Sequence, residues 1–117
     1  MSRITRKKIL FKPKNQAPIF AALGDETRLS LIAKLCGGKP YSISQLTKGT
    51  ELSRQAITKH LSVLEKVGIV RSLRIGRESL FEFDSEPIEE IKEYLNQISK
   101  QWDQTLLRLK SFVENET

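Results

Sequence analysis

The stretch SRQAITKHLSVLEKVGIVRSLRIGRESLFEF, residues 53–83, carries the strongest indications of how this chain folds. Its first half predicts one helix, because apolar residues recur there at helical spacing and polar residues occupy the opposite side. The apolar positions are Ile57, Leu61, Leu64 and Val67. The polar positions are Gln55, Thr58, Lys59, Ser62 and Lys66. Ser53 suits the N-cap, and Gly68 suits the end of the helix because it can adopt a left-handed conformation without a Cβ clash. One face should pack inward while the other remains free to contact a partner.

After Gly68 the pattern changes from a helical period to a period of two. Apolar and polar side chains alternate over Leu73–Ile75 and again over Phe81–Phe83. Gly76-Arg77 lies between these runs, where a tight turn needs a residue that tolerates positive φ. We therefore expect a β-hairpin with a basic tip over about 69–83. A basic helix followed by such a hairpin suits duplex DNA, since a helix fits the major groove and an arginine-bearing loop can reach phosphates or the minor groove.

Length and composition limit the chain to one domain of modest size. It has 117 residues, of which 38% are hydrophobic, enough for a single core. No apolar run approaches the roughly 18 to 20 residues of a membrane span, and no signal-peptide pattern is seen at the N-terminus. The single cysteine cannot form an internal disulfide, which agrees with a reducing compartment. We expect a cytoplasmic protein with no membrane partner.

The net charge of +6 is distributed unevenly. Residues 1–24 hold six basic side chains and no acidic one, and residues 53–77 hold six basic and one acidic. Residues 78–117 hold four basic and ten acidic side chains. Positive charge on an N-terminal arm, 1–14, and on the helix and hairpin predicts a polyanionic partner, because phosphate neutralisation and counterion release supply much of DNA affinity.

Two further helices are expected before residue 37, within a domain that we place at 15–117. Ala17–Leu23 is a short apolar segment, and Asp25 then fits the N-cap of a helix that ends at Gly37-Gly38.

A short helix is expected before the basic one. Tyr41 and Ile43 could form a short extended piece, after which Ser44 would cap a helix ending near Gly49. The link Gly49–Leu52 is then the turn of a helix-turn-helix over about 44–67. Such a turn sets the angle at which the second helix projects toward DNA bases.

The C-terminal segment, about 87–115, has the pattern of a long helix with one apolar seam. The seam residues follow one another at intervals of three or four: Ile88, Ile91, Leu95, Ile98, Trp102, Leu106, Leu109 and Val113. A helix of this length extends roughly 40 Å, more than so small a domain can cover. We expect a homodimer joined through this seam; a stripe that only covers its own domain is the alternative. The predicted dimer contacts are Ile19, Phe20, Ile91, Leu95, Ile98, Trp102, Leu106 and Leu109.

Residues from Phe20 to Phe83 resemble the ArsR-type (ArsR/SmtB) family of bacterial winged-helix repressors. The resemblance rests on three motifs in register: the D-x-T-R opening at Asp25, the segment SRQAITKHLSVLEKVGIV, and the R-x-G-R wing at Arg74. It implies a mainly α fold with a small hairpin, in the order α1-α2-α3-α4-β-β-α5. It also implies a homodimer, paired through its first and last helices, that represses its promoter by occupying an operator. The expected DNA-contacting residues are Ser53, Arg54, Gln55, Thr58, Lys59, His60 and Ser62 on the helix, and Arg74 and Arg77 in the wing.

The chain departs from the metal-sensing members that it resembles. Those proteins use cysteine pairs or aspartate and histidine ligands, whereas this chain has one Cys and one His in total. Tetrahedral sites for soft metals draw mainly on these two residue types. Carboxylates on the last helix, such as Glu89, Glu93 and Asp103, are better explained as a solvated acidic face. We therefore expect no metal site and no cofactor.

Three single residues leave alternatives open. His60 could contact a phosphate or the DNA backbone, or could be a partly buried packing residue. Cys36 is expected to be a small buried hydrophobe, and a redox switch would instead need an exposed thiol. Trp102 could anchor the dimer or line a pocket for an apolar effector.

These observations favour a dimeric, metal-independent repressor of its own operon that reads a roughly palindromic operator in double-stranded DNA. A ligand- or thiol-responsive repressor, sensing through Cys36 or a pocket near Trp102, is the alternative among regulators, and no particular small-molecule effector is indicated. A winged-helix protein-interaction module without DNA binding is a third class. An enzyme is not expected, because the chain lacks a glycine-rich phosphate loop, paired catalytic carboxylates and a nucleophile with a nearby base.

Overall fold

The computed structural model describes residues 13–115. Within them the chain forms five helices and three strands. In chain order these are α1 (Pro13–Leu23), α2 (Glu26–Leu35), β1 (Tyr41–Ser42), α3 (Ile43–Thr47), α4 (Arg54–Lys66), β2 (Val70–Ile75), β3 (Glu78–Phe83) and α5 (Glu86–Asn115). This mostly helical order with a small sheet confirms the predicted fold class. Residues 1–12, most of the predicted basic arm, lie outside the described residues, and the last two residues of that arm begin α1.

Local capping chemistry explains the start of α2 and α4. Asp25 Oδ2 accepts a hydrogen bond from the backbone N–H of Arg28 at 3.0 Å. Ser53 Oγ accepts one from the N–H of Ala56 at 3.1 Å. Both predicted N-caps are therefore confirmed, and Gly68 adopts the left-handed φ of 82° that its position after α4 requires.

The start of α3 differs from the prediction, because Ser42 rather than Ser44 is its N-cap. Ser42 Oγ accepts from the N–H of Gln45 at 3.2 Å, and Gln45 Oε1 accepts from the N–H of Ser42 at 2.8 Å. This reciprocal capping box satisfies two backbone donors at once. Ser44 lies within α3, and its Oγ accepts a hydrogen bond from Arg54 Nη1.

The strands form one antiparallel sheet in the order β1-β3-β2. In the hairpin Val70 pairs with Phe83 and Ile75 pairs with Glu78, so that the turn lies at Gly76, where φ is 63°. The hairpin and its glycine turn are as predicted. The sequence did not place β1 in this sheet, although Tyr41 pairs with Phe81.

The core lies between the inner face of α4, the first helices and the base of the sheet. Ile57, Leu61 and Leu64 are fully buried, which confirms most of the predicted stripe, while Val67 is half-buried. The other buried apolar residues are Ile19, Ala22, Leu31, Leu35, Leu46, Ile69, Val70, Phe81 and Ile91. Burial of one face of α4 leaves its opposite face turned to solvent.

Helix α5 is 30 residues long, and only its first part packs on the rest of the chain. It contacts α1, where the rings of Phe20 and Tyr94 lie 6.1 Å apart at 59°. Ile91 is buried in this contact region, whereas the large apolar residues from Leu95 onward are exposed. No helix in the described part of the chain combines the length and apolar character that a bilayer crossing requires.

Cys36 is exposed, which contradicts the prediction of a small buried hydrophobe. It lies at the C-cap of α2, and its Sγ is 3.4 Å from the carbonyl oxygen of Ala33. The buried positions of α2 are Leu31 and Leu35, and the residue after Leu35 points away from that face.

Candidate nucleic-acid interface

The outer face of α4 carries most of the predicted DNA-contacting side chains. Gln55, Thr58, Lys59 and Ser62 are all exposed, on the side opposite the buried stripe. The helix thus presents amide, hydroxyl and ammonium groups to solvent from a backbone held rigidly by the core. Groups of these kinds can hydrogen-bond to base edges and phosphates in a major groove.

Two of the predicted DNA-contacting side chains, those of Arg54 and Thr58, are already oriented by internal hydrogen bonds. Arg54 Nη1 donates to Ser44 Oγ at 2.8 Å, which ties the first turn of α4 to α3. Thr58 Oγ1 donates to the carbonyl of Arg54 at 2.8 Å, so its hydroxyl can offer only lone pairs to a ligand. The role of Ser44 in holding Arg54 was not predicted, because the two residues are ten positions apart and in different helices.

The turn between α3 and α4 is held by Thr50. Its Oγ1 donates to the carbonyl of Thr47 at 2.9 Å and accepts from the N–H of Leu52 at 3.2 Å. Gly49, with φ of 80°, supplies the left-handed position of this turn. These contacts fix the angle between the two helices, which is the geometry that a helix-turn-helix needs.

The wing contains three arginines that differ in their surroundings. Arg71, at the base of β2, pairs with Glu82 across the hairpin at 2.9 Å and lies 3.9 Å from Asp84. Arg74 and Arg77 are exposed near the tip, and no acidic side chain among residues 13–115 forms an ion pair with either. The positive charge of the wing is therefore concentrated at its tip.

The acidic residue between positions 53 and 77, Glu65, is turned toward the wing. Its Oε2 accepts a hydrogen bond from Ser72 Oγ at 2.8 Å. This bond joins the end of α4 to β2, so that helix and wing are held together by a side-chain contact as well as by the chain. The carboxylate is placed at the C-terminal end of α4, away from the exposed residues of its first turns.

His60 is placed differently from the other predicted DNA-contacting residues. Its side chain is 23% exposed, and Nδ1 lies 3.1 Å from Arg28 Nη1 and 3.7 Å from Asp25 Oδ2. The hydrogen bond from the Arg28 backbone N–H lowers the pKa of the Asp25 carboxyl below its ordinary value, and the nearby Arg28 charge acts in the same direction. Thus Nδ1 of His60 faces the start of α2, not the solvent side of α4.

The predicted dimer contacts divide into two groups. Ile19 and Ile91 are buried within the chain's own core, and Phe20 is half-buried against Tyr94. The place of Ile19 and Ile91 in a dimer surface stays a prediction, and both side chains already pack in the core of their own chain. The remaining predicted residues are exposed: Leu95, Ile98, Trp102, Leu106 and Leu109.

Two further exposed residues on α5, Leu107 and Phe112, were not predicted because they lie off the seam. They are 66% and 63% exposed. An open groove of about 340 Å³ follows the first part of the helix, and its lining consists of Ile88, Ile91, Lys92, Leu95 and Asn96. Trp102 is not part of this lining. The apolar surface of α5 is thus broader than a single stripe toward its C-terminal end.

No group of three or more His, Cys, Asp or Glu side chains in the described part of the chain could hold a metal ion. Cys36 lies at the C-cap of α2, whereas His60 lies on α4. The arrangement is that of a polar, basic contact surface and offers no constellation of nucleophile and base.

Comparison with known proteins indicates the family of the chain. Residues 25–72, from the start of α2 into β2, match the family described as bacterial regulatory protein, arsR family. The chain is 37% identical over 83 residues to an uncharacterized HTH-type transcriptional regulator, YuzN, of Bacillus subtilis, covering 66% of this chain and 90% of that protein. It is 25% identical over 87 residues to the HTH-type regulator MJ1325 of Methanocaldococcus jannaschii, covering 74% and 98% of the two chains.

A solved structure shows the same fold. An ArsR-like transcriptional regulator from Rhodococcus sp. RHA1 superimposes with a TM-score of 0.73 at 36% identity, covering 83% of this chain and 91% of that one. The matched family is one of transcription regulators and not of enzymes.

Proposed function

Because this chain belongs to the ArsR family of bacterial regulatory proteins and carries its DNA-binding helix-turn-helix, we propose that it acts as a homodimeric, metal-independent repressor of its own operon. In this proposal two copies of α4 enter successive major grooves of a roughly palindromic operator, about one helical turn apart. The proposed place of action is the cytoplasm, where such an operator would be found.

The observation that supports this proposal most strongly is the combination of free polar groups on α4 with free cations at the wing tip. Gln55 and Lys59 are exposed and project from a helix whose other face is fully buried. Glutamine can make a bidentate contact with adenine, and lysine can contact guanine or a phosphate. Arg74 and Arg77 are proposed to bind phosphates or the minor groove beside the site.

The N-terminal end of α4 is proposed to bind phosphate. Helix N-termini present unpaired backbone N–H groups and a partial positive charge, which favour anions. Ser53 satisfies one of these donors, and the exposed Arg54 adds a cation beside the end of the helix. Thr58 and Ser62 complete the contact surface, with hydroxyl groups toward the DNA. We leave His60 out of the base-reading residues, since its Nδ1 faces α2.

The exposed part of α5 is proposed to form the dimer. From Leu95 onward the apolar side chains of the seam are between 45% and 61% exposed. The described part of their own chain therefore leaves much of the seam uncovered. A surface of this kind on a soluble domain marks an interaction site. Pairing through a two-fold axis would bury the same seam on both copies and would hold the two reading helices at one separation.

Two features bear on how the repressor responds to signals. The chain has one Cys and one His, too few soft ligands for a tetrahedral zinc site within one subunit. The exposure of Cys36 favours the thiol-responsive alternative over a purely structural role for this residue, because a buried thiol would be shielded from oxidants. Replacement of Cys36 by Ser distinguishes a thiol-responsive repressor from one in which Cys36 is only structural. Only the thiol-responsive repressor would lose a response to peroxide.

The function is tested by measuring the binding of the full chain to the DNA upstream of its own gene, with random DNA of equal length as the control. We expect saturable binding of two chains per site, a protected region with two-fold symmetry, and affinity that falls steeply as salt rises. No binding at low salt would favour the interaction-module alternative, and equal affinity for both DNAs would contradict a sequence-specific operator.

A further inference from the structure

Arg28 belongs to α2 and lies where this helix meets α1 and α4. Its side chain contacts both of these helices. Its Nε donates to the carbonyl of Ala22 at 2.6 Å, and Nη2 lies 3.4 Å from the carbonyl of Ala21. Both carbonyls belong to the last turn of α1, where the helix dipole favours a cation. The Ala21 carbonyl also accepts from the backbone N–H of Gly24 at 3.2 Å. The third nitrogen of the guanidinium, Nη1, is 3.1 Å from Nδ1 of His60 on α4.

The chemistry of the two groups determines where the proton of His60 sits. A guanidinium has donors only, so Nδ1 of His60 must be the acceptor in this contact. An imidazole that accepts at Nδ1 is neutral and carries its proton at Nε2. Asp25 Oδ2, at 3.7 Å, is too far from Nδ1 to form a hydrogen bond with it. The arrangement therefore selects the Nε2–H tautomer.

The contact links the two parts of the molecule that the proposed function requires to be aligned. Helix α1 packs against α5, whereas His60 follows Lys59 directly on α4. Apolar contacts between α2 and α4 supply non-directional attraction. Such attraction opposes the separation of the two helices more strongly than it opposes a rotation of one helix against the other. A charge-assisted hydrogen bond has a preferred length and angle, and so adds the directional restraint that apolar packing lacks.

We propose that Arg28 is a positioning residue for DNA recognition: through its hydrogen bond to His60 Nδ1 it sets the orientation of α4 relative to the α1–α5 side of the molecule. The inference rests on the proposed function, because it assumes that α4 reads base edges. Its consequence is that Arg28 and His60 contribute to discrimination between DNA sequences without touching a base. Non-specific binding depends on phosphate contacts from the flexible Lys and Arg side chains and is not governed by this bond.

Two replacements of His60 separate positioning from direct contact. In His60→Asn the side-chain oxygen can take the place of Nδ1 as acceptor, while the donor at Nε2 is lost. In His60→Gln a donor can reach the place of Nε2, while the acceptor at the Nδ1 position is lost. Fluorescence anisotropy should show the ratio of operator to random-DNA affinity retained in His60→Asn and reduced about tenfold in His60→Gln, the scale of one hydrogen bond to a charged group. Melting temperature and sedimentation would verify that both variants are folded and assembled like the wild type.

The opposite result would overturn the proposal. Loss in His60→Asn with retention in His60→Gln would show that Nε2 contacts DNA directly. Equal ratios in the wild type and both variants would show that the bond does not influence recognition, and equal loss in both would show that the ring acts through its shape. Arg28→Lys keeps the positive charge but cannot span the two α1 carbonyls and His60 together, and should reproduce the His60→Gln ratio.

A spectroscopic measurement tests the bond without DNA. His60 is the only histidine in the sequence, so ¹⁵N spectra of the imidazole need no assignment. At a pH where the ring is neutral, the wild type should show an unprotonated Nδ1 and a protonated Nε2, and Arg28→Lys should shift this balance toward the other tautomer. A protonated Nδ1 in the wild type would refute the bond. If the wild type binds no DNA, the proposed function and the positioning role fail together, while the spectrum still decides whether Arg28 holds the ring.

Discussion

Arg71 Nη2 lies 2.9 Å from Glu82 Oε2 across the β2–β3 hairpin, and its Nε donates to the same oxygen at 3.1 Å. Arg71 and Glu82 are also directly paired in the strand register. This arginine is thus held within the wing, while Arg74 and Arg77 remain available near the tip. Three residues that look equivalent in the sequence therefore have different environments in the fold.

The different surroundings of Arg71 and Arg77 lead to the first prediction. Arg77→Ala should weaken binding to operator and random DNA alike and should reduce the salt dependence of binding by about one phosphate contact. Arg71→Ala is the matched control: it removes the same charge, but the exposed ion pair that it breaks contributes little to stability, and we expect a smaller loss of affinity. Binding isotherms at several salt concentrations provide the measurement. A steeper loss for Arg71→Ala would place the DNA contact at the base of the wing.

Gln55 is predicted to determine sequence preference. Gln55→Ala should change which operator variants are preferred, since a good side-chain contact to a base contributes about 1–3 kcal/mol of discrimination. Gln104→Ala is the control, because Gln104 is also an exposed glutamine on a helix but lies on α5. Selection from randomised operators would compare the two variants. If Gln55→Ala lost affinity equally on specific and random DNA, its role in base reading would be refuted.

Dimer assembly is predicted to depend on the seam of α5 and not on its whole apolar surface. Leu106→Glu would place unpaired charges in the proposed joint of both copies, at a cost of several kcal/mol per dimer. Leu107→Glu is the control, since Leu107 is adjacent and 66% exposed but lies off the seam. Sedimentation at micromolar concentration should show monomer for the first and dimer for the second. Dimers in both cases would show that the joint lies elsewhere.

Operator affinity is predicted to be unaffected by zinc, cadmium or arsenite at stoichiometric concentration. The reason is the ligand count, since one thiol and one imidazole are present in each chain. Metal titration followed by DNA binding provides the test, and tight stoichiometric binding with DNA release would contradict it. A site shared between two Cys36 thiols would be revealed if Cys36→Ser abolished such a response.

Ser53 is predicted to have separable roles in stability and in DNA binding. Ser53→Ala removes the acceptor for the N–H of Ala56 and should lower the free energy of unfolding by about 1 kcal/mol. Ser53→Asp keeps a capping oxygen, so stability should be retained, but its negative charge should repel the phosphate proposed to bind there. Thermal denaturation and DNA titration of both variants would distinguish these effects. Tight DNA binding by Ser53→Asp would exclude a phosphate at this helix end.

Where the structure adds to or differs from the sequence predictions, each residue has its own physical reason. Ser44 was a reasonable cap by residue type, but Ser42 has the glutamine three residues later that completes a capping box. Cys36 follows an apolar run, yet the direction of a side chain at the end of a helix depends on which residues the helix buries. Ile91 belongs to the same seam as Leu95, and only the position of α1 decides that Ile91 is covered while Leu95 is exposed.

The helix, the turn and the wing could be predicted from the sequence alone, because caps, glycine turns and residue periodicity depend on interactions within a few positions along the chain. The sequence also located the α5 seam, which is a property of one helix. The contact of Arg28 with His60, 32 positions away, and the pairing of Glu82 with Arg71 and not with Arg77 emerge only in the folded chain. Such pairings depend on how separate elements pack in three dimensions, and the same residue types with the same spacing could occur without them.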